Sequence, residues 1–168
     1  MKLLEDTGQV IGQHDIKNEY FKSQNIEVDR QGLYVGDYVI ANKQNISIDT
    51  KKDLQEIILD VTKDHVRFRK EMIRAQEAEI KLIILCEHGE NIKDIEDVKN
   101  WHNPRLDMKI TIINEEGKKE RVLKYPNATS GEQLYKIMKT QEEKYGVKYL
   151  FCDKEETGKL ILELLGVA

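Results

Sequence analysis

"VGDYVIANKQNISIDTKKDLQEI", residues 35–57, sets a β-hairpin directly before a helix. The runs GLYVGDYVIA and QNISIDTK are rich in β-branched and aromatic residues and flank a turn at Asn42 to Asn45, which reads as an antiparallel pair. Beyond them Leu54, Ile57, Ile58 and Val61 fall at i, i+3, i+4 and i+7, the stripe of an amphipathic helix. Asp37 follows a glycine on the first run, and Asp49 and Lys51 stand on the second. Strand alternation places Asp49 and Lys51 on one face with Thr50 on the other. A carboxylate and an ammonium sharing a face cost little in a wet cleft and much in a core. Two readings stand. The three residues form a metal-dependent centre, or Asp37 is a turn residue and Asp49 caps a helix that Lys51 begins.

Outward from the hairpin, strands and helices alternate. KLLE (2–5) reads as a strand ending at Asp6, DIKNEYFKSQ (15–24) as a helix and IEV (26–28) as a brief strand. A helix over about 65–79 has Phe68, Met72 and Ala75 on one side, with Lys63, Arg67, Lys70 and Arg74 close together on another. IKLIILC (80–86) has the length and apolar continuity of a buried central strand. Residues 92–101 form a short helix and WHNPR an irregular segment. KITIINEEGKKERVLKY, within 105–128, reads as a hairpin turning at Glu116–Gly117 and inserted on the core. SGEQ (130–133) is a capping box opening a helix that stops near Gly146, a natural C′ residue. VKYLFC is then a strand and KEETGKLILELLG a final helix. The class is α/β, a mixed central sheet flanked by helices on both faces. Residues 1–168 read as one domain, with a core over about 1–90 and 130–168.

Composition narrows the function. The chain has 168 residues, of which 35% are charged and 7% aromatic. No run approaches the roughly 18 consecutive apolar residues of a membrane span. MKLLEDTGQV lacks the apolar stretch of a signal peptide, so a cytoplasmic protein with no membrane partner is expected. Cys86 and Cys152 sit in or just after apolar runs, as buried thiols do. A net charge of −4 argues against a chain that coats nucleic acid nonspecifically, but leaves room for a local field. KDHVRFRKEMIR (63–74) supplies one, with Lys63, Arg67, Arg69, Lys70 and Arg74 against Asp64 and Glu71. That stripe is either a phosphate-binding face or a solvated, salt-bridged surface. His14 and Lys17 sit at a site rim or in a plain surface loop. Trp101 and the following HNP anchor a loop or form a base-stacking platform, and Tyr135 and Tyr145 read as helix-packing aromatics.

Metal-assisted phosphodiester cleavage needs hard oxygen ligands, a polarised water and a cation near the developing phosphorane charge. Asp37 and Asp49 offer the oxygens, and Lys51 the cation. Asp6 is a third carboxylate, and Gln55 and Glu56 on the first helical turn can close the same site.

From LLEDTGQ through LYVGDY, ISIDTKKDLQEI and RFRKEMIRA to IKLIILCE, the chain resembles the XPF/MUS-type (ERCC-four-like) nuclease domain of the PD-(D/E)XK superfamily. It is most similar to the short stand-alone versions of bacteriophages and prophages. The family pattern is G-D-x(n)-E-R-K-x-x-x-D after an early Asp. Gly36–Asp37 matches the G-D, Asp49–Thr50–Lys51 stands where E-R-K would, and Asp6 is the early Asp. Three positions depart: Asp49 replaces Glu, Thr50 replaces Arg, and Gln55 occupies the trailing acid's place, with Asp53 nearby. Within these 168 residues no tandem helix-hairpin-helix pattern is expected after the core.

The resemblance implies a restriction-endonuclease-like core and hydrolysis of DNA phosphodiesters with Mg²⁺, for which Mn²⁺ substitutes. Carried over residue by residue, Asp37, Asp49 and the Thr50 carbonyl would hold the metal, with Asp6 as a further carboxylate. Lys51 would serve the attacking water and the transition-state charge, and Gln55 would orient a water or phosphate. Arg67, Lys70 and Arg74, with Lys17 and His14, would contact DNA. The expected activity is a structure-selective or nicking endonuclease in phage DNA recombination, replication or packaging, in a bacterial cell or infected host. A monomer would nick, and a homodimer would cut both strands. The alternatives are a non-catalytic DNA-binding or scaffolding module on the same fold and, more remotely, an RNA or nucleotide hydrolase.

Overall fold

The computed structural model describes residues 1–167. Among these residues, eight strands and six α-helices are built as one mixed six-stranded sheet, a separate two-stranded ribbon and two helical layers. In chain order the central strands are β1 (Lys2–Asp6), β2 (Glu27–Gln31), β3 (Tyr38–Ile40), β4 (Lys43–Lys51), β5 (Lys81–Cys86) and β8 (Lys148–Phe151). They lie in the spatial order β2-β1-β3-β4-β5-β8. β3 is antiparallel to both its neighbours, while β1 with β2, β4 with β5 and β5 with β8 are parallel.

Helices α1 (Asp15–Ser23) and α6 (Thr157–Leu164) cover one face. There Phe21, Ile161 and Leu162 pack on Leu3, Tyr38, Ile48, Ile83 and Leu85. Helices α2 (Leu54–Thr62), α3 (His65–Glu77), α4 (Ile95–Val98) and α5 (Gly131–Tyr145) cover the other. Leu54, Ile57, Phe68, Met72, Leu134 and Met138 pack there on Leu82, Ile84 and Tyr149. β5 is buried on both faces, with five of its six residues inside, as a near-continuous apolar run requires. Cys86 and Cys152 are free, buried thiols.

Local signals set the boundaries. Asp53 caps α2 by accepting from Glu56 N at 2.9 Å. Ser130 and Gln133 form a complete capping box on α5, which ends at Gly146 with φ 70°. The β3–β4 pair differs from the sequence reading in two ways. Ile40 pairs with Lys43, so the turn is Ala41–Asn42 rather than a four-residue loop. The first strand is also only three residues long. Gly36 adopts φ +70°, where a Cβ would strike the Ser47 side chain and Ile48 carbonyl, and its N–H donates to Glu71. That left-handed step, which only glycine takes without cost, folds Val35 into the α2–α3 core and ends the ladder before Asp37.

The stretch between α4 and α5 forms the ribbon of β6 (Lys109–Ile113) and β7 (Lys119–Leu123).

Candidate active site

Alternation along β4 turns Asp49 and Lys51 toward α2 and α3. Both are buried, at 5% and 8% exposure, so each needs an opposite charge. Lys51 Nζ lies 2.9 Å from Asp49 Oδ2 and 2.9 Å from Asp60 Oδ2, with the Phe68 ring centroid 5.4 Å away. Asp60, on α2, is itself buried, and the Arg67 guanidinium stands 3.6 Å from its other oxygen. The result is a charge chain, Asp49–Lys51–Asp60–Arg67, running from the sheet to the surface of α3. Burial alone would pull the Lys51 ammonium toward neutrality, but the two carboxylates outweigh it and hold the lysine protonated. Burial raises the Asp49 carboxyl, Lys51 opposes that, and the nearby charges of Asp37 and Glu71 push it further up.

Asp37 sits where β1, β3 and β4 meet. Its N–H donates to the Ile48 carbonyl at 2.7 Å, and its own carbonyl accepts from Asp6 N at 2.8 Å. Its Oδ2 accepts from the Thr50 N–H and the Thr50 hydroxyl, both at 2.7 Å. The carboxylate thus continues the β3–β4 ladder by one step and is locked against Thr50. Asp6 is engaged at both oxygens, accepting from Gly8 N at 2.7 Å and Leu33 N at 2.8 Å. It ties the loop after β1 to the approach to Gly36.

Thr50 opens onto a cleft of about 940 Å³ that His14, Lys17, Gln55, Lys52, Arg105 and Lys154 also line. Lys17 is buried and held 3.1 Å from Glu87. Behind it the Tyr38 hydroxyl donates to Glu5 at 3.2 Å, and Arg30 pairs with Glu5 at 3.0 Å. Burial, then the Lys17 charge, pull the His14 imidazole below its usual range. Gln55 donates through Nε2 to Asn103, whose amide is buried and donates to the Thr129 carbonyl at 2.7 Å. Gln55 Oε1 has no hydrogen-bond partner among the described residues.

Of the residues singled out in the sequence, Thr50, Gln55, Lys17 and His14 share the cleft wall. Asp37 lies directly behind Thr50, and Asp49 and Lys51 lie beneath α2 and α3. Arg67, Lys70 and Arg74 stand on α3, outside the cleft lining, and Arg67 is engaged with Asp60 and Asp64. Three polar positions were not foreseen: Asp60, Glu5 and Glu87. Asp60 stands three residues after Ile57, on the apolar side of its helix, which marks it as a buried acid. Glu87 directly follows the buried strand β5.

Among the described residues no group of three or more His, Cys, Asp or Glu side chains is placed to hold a metal ion. The donor chemistry of Asp37 and Asp49 nevertheless suits a hard divalent cation. Asp37 Oδ2 carries both of the Thr50 hydrogen bonds. Asp49 Oδ2 meets only the Lys51 ammonium and accepts no hydrogen bond.

Solved structures share this architecture, among them two of XPF. XPF from Aeropyrum pernix superposes with a TM-score of 0.60 at 14% sequence identity, over 98% of this chain and 63% of that one. XPF from the same organism in complex with DNA gives 0.60 and 14%, over 99% of this chain and 64% of that one. The fold is XPF-like. No family model and no curated protein matches the chain. This chain spans just under two thirds of the length of the XPF structures it matches. The mixed sheet flanked by helices is shared with those structures, as the sequence reading expected.

Proposed function

We propose that the chain is a metal-dependent DNA endonuclease, structure-selective or nicking, acting in the cytoplasm in phage DNA recombination, replication or packaging. The observation that carries this reading is the junction at Thr50. On an XPF-like fold, Asp37 is locked to one side of that residue and the Asp49–Lys51 pair flanks it in sequence. The face of Thr50 itself opens onto a cleft bearing Lys17, Lys52, Arg105 and Lys154 alongside Asp53, Glu56 and Glu87.

Asp37, Asp49 and the Thr50 carbonyl would hold Mg²⁺, or Mn²⁺ in its place. The bound metal would polarise a phosphoryl oxygen and make a water more acidic. Lys51, buried beneath α2 and α3 and kept protonated by two carboxylates, would favour the phosphorane's negative charge from behind Thr50 rather than by direct contact. Asp6, with each oxygen already accepting a backbone N–H, contributes through water. The unpartnered Gln55 Oε1 orients a water or a phosphate-bound hydroxyl at the cleft wall. Arg67, Lys70 and Arg74 would hold backbone phosphates, with His14 as a neutral donor and Lys17 through what Glu87 leaves free, giving affinity rather than sequence preference. A single chain has one such centre and nicks, and a homodimer would cut both strands.

A second reading has its own support. The Asp49–Lys51–Asp60–Arg67 chain matches two carboxylates with two cations as it stands, as it would in a DNA-binding module without catalysis. Supercoiled plasmid incubated with the protein, with Mg²⁺ and with chelator, separates the two. Nicked circles only with Mg²⁺ support the endonuclease. Salt-sensitive binding with no nicking in either condition supports the module.

A further inference from the structure

The ribbon β6–β7 stands apart from the central sheet. Its register pairs Lys109 with Leu123, Thr111 with Arg121 and Ile113 with Lys119. Directly opposed residues of an antiparallel pair share a face, so these six side chains point one way. Ile110, Ile112, Val122 and Glu120 point the other way. The first face thus carries three cations and no carboxylate, and all six of its residues are exposed, Ile113 by 63%. Among the described residues none of Lys109, Lys119 and Arg121 joins an ion pair, whereas the neighbouring Lys118 pairs with Glu116 at 2.9 Å.

The root of the ribbon is fixed to the cleft. Asn103 accepts from Gln55 and from Arg105 N, and it donates to Thr129, so one buried amide ties helix α2 to both ends of the insertion. Lys124 N donates to Met108 O at 2.8 Å across the base of the strands. Arg105 lines the cleft, and its guanidinium lies 5.1 Å from the Tyr125 ring centroid. Gln55, the position where an acid was expected, therefore registers the ribbon against the cleft wall.

We propose that the ribbon is a second nucleic-acid contact, presenting Lys109, Thr111, Lys119 and Arg121 to a DNA duplex whose scissile phosphate lies in the cleft. This rests on the DNA reading above. A two-stranded ribbon fits the major groove, which is about 12 Å wide, and three unpaired cations match the phosphate flanks. A second copy of the chain is a poor occupant, because a two-fold contact would set this face against itself, cations against cations.

The test is duplex binding by fluorescence anisotropy at two salt concentrations. It compares the full chain with Lys109→Glu/Lys119→Glu/Arg121→Glu and with Ile110→Ser/Ile112→Ser on the opposite face. Gel filtration and thermal melts check that both variants remain folded. The charge reversal is expected to weaken binding by roughly tenfold or more and to flatten the salt slope by about two to three. The opposite-face variant is expected to stay within about twofold. Wild type that binds duplex while the charge-reversal variant binds equally well overturns the ribbon contact and leaves the DNA reading intact. Wild type that binds no duplex overturns both. A charge reversal that shifts the oligomeric state instead of the affinity makes this face a contact between copies, and likewise overturns the proposal.

Discussion

Lys51 on β4 and Asp60 on α2 meet at 2.9 Å beneath the sheet, joining the D-x-K strand to the helix that follows it. Asp60 is 4% exposed, so its charge has no recourse to water. Replacing it with alanine leaves Lys51 with Asp49 alone and Arg67 without its buried partner. Removing one member of a buried pair costs on the order of 3 kcal/mol. Asp60→Ala is therefore expected to lower urea-unfolding stability by about that much, and Asp60→Asn by less. Loss of stability below about 0.5 kcal/mol would show the ion pair to be incidental.

Gly36 fixes where Asp37 points. With φ at +70° and the Ile48 carbonyl 3.0 Å from where a Cβ would stand, Gly36→Ala forces either strain or a shift. A cost of about 1–3 kcal/mol is expected, together with loss of nicking greater than the loss of folded protein, because the Asp37–Thr50 contacts move. The paired readouts are a thermal melt and plasmid nicking at a temperature where the variant is fully folded.

Asn103 is 1% exposed and makes contacts to Gln55, Arg105 and Thr129. Alanine there strands buried donors and acceptors at about 1–3 kcal/mol. Hydrogen exchange across residues 103–129 is expected to accelerate while the β4–β5 amides keep their protection. Uniform acceleration across both would show that the ribbon is not an independently anchored unit.

His88 Nδ1 accepts from the Leu54 N–H at 3.1 Å at the start of α2, which requires the neutral ring. Burial holds its pKa below the usual value of 6.5, against the opposing charges of Glu90 and Asp53. The unfolded chain then takes up the proton first as pH falls. The contribution is complete above about pH 6.5 and is lost progressively between that pH and the lower folded-state value. His88→Asn is expected to flatten this part of the stability profile. A slope between pH 7 and 5 identical to that of the wild type would count against it.

The α/β class, the capped helix opening at Ser130 and the shared face of Asp49 and Lys51 were legible because they depend on local period and cap chemistry. What lay out of reach depends on docking. The burial of the Asp49–Lys51 face follows from how α2 and α3 settle on β4, which brings Asp60 and Phe68 to the lysine. The Gln55–Asn103 and Lys17–Glu87 contacts join positions 48 and 70 residues apart, and no short-range pattern announces them. The shortened β3 is an intermediate case. Gly36 lies inside a β-rich run, and its left-handed φ of +70° and the contact with Glu71 make it a turn.

The central claim, that metal held beside Thr50 cleaves DNA, is tested most directly with Asp37→Asn. Asparagine keeps an oxygen for the Thr50 N–H and hydroxyl but removes the charge a divalent cation needs. Nicking of supercoiled plasmid in Mg²⁺ should fall by roughly a hundredfold or more, with the melting temperature and duplex affinity nearly unchanged. Undiminished nicking by Asp37→Asn, or wild-type nicking that persists in chelator, would contradict the account.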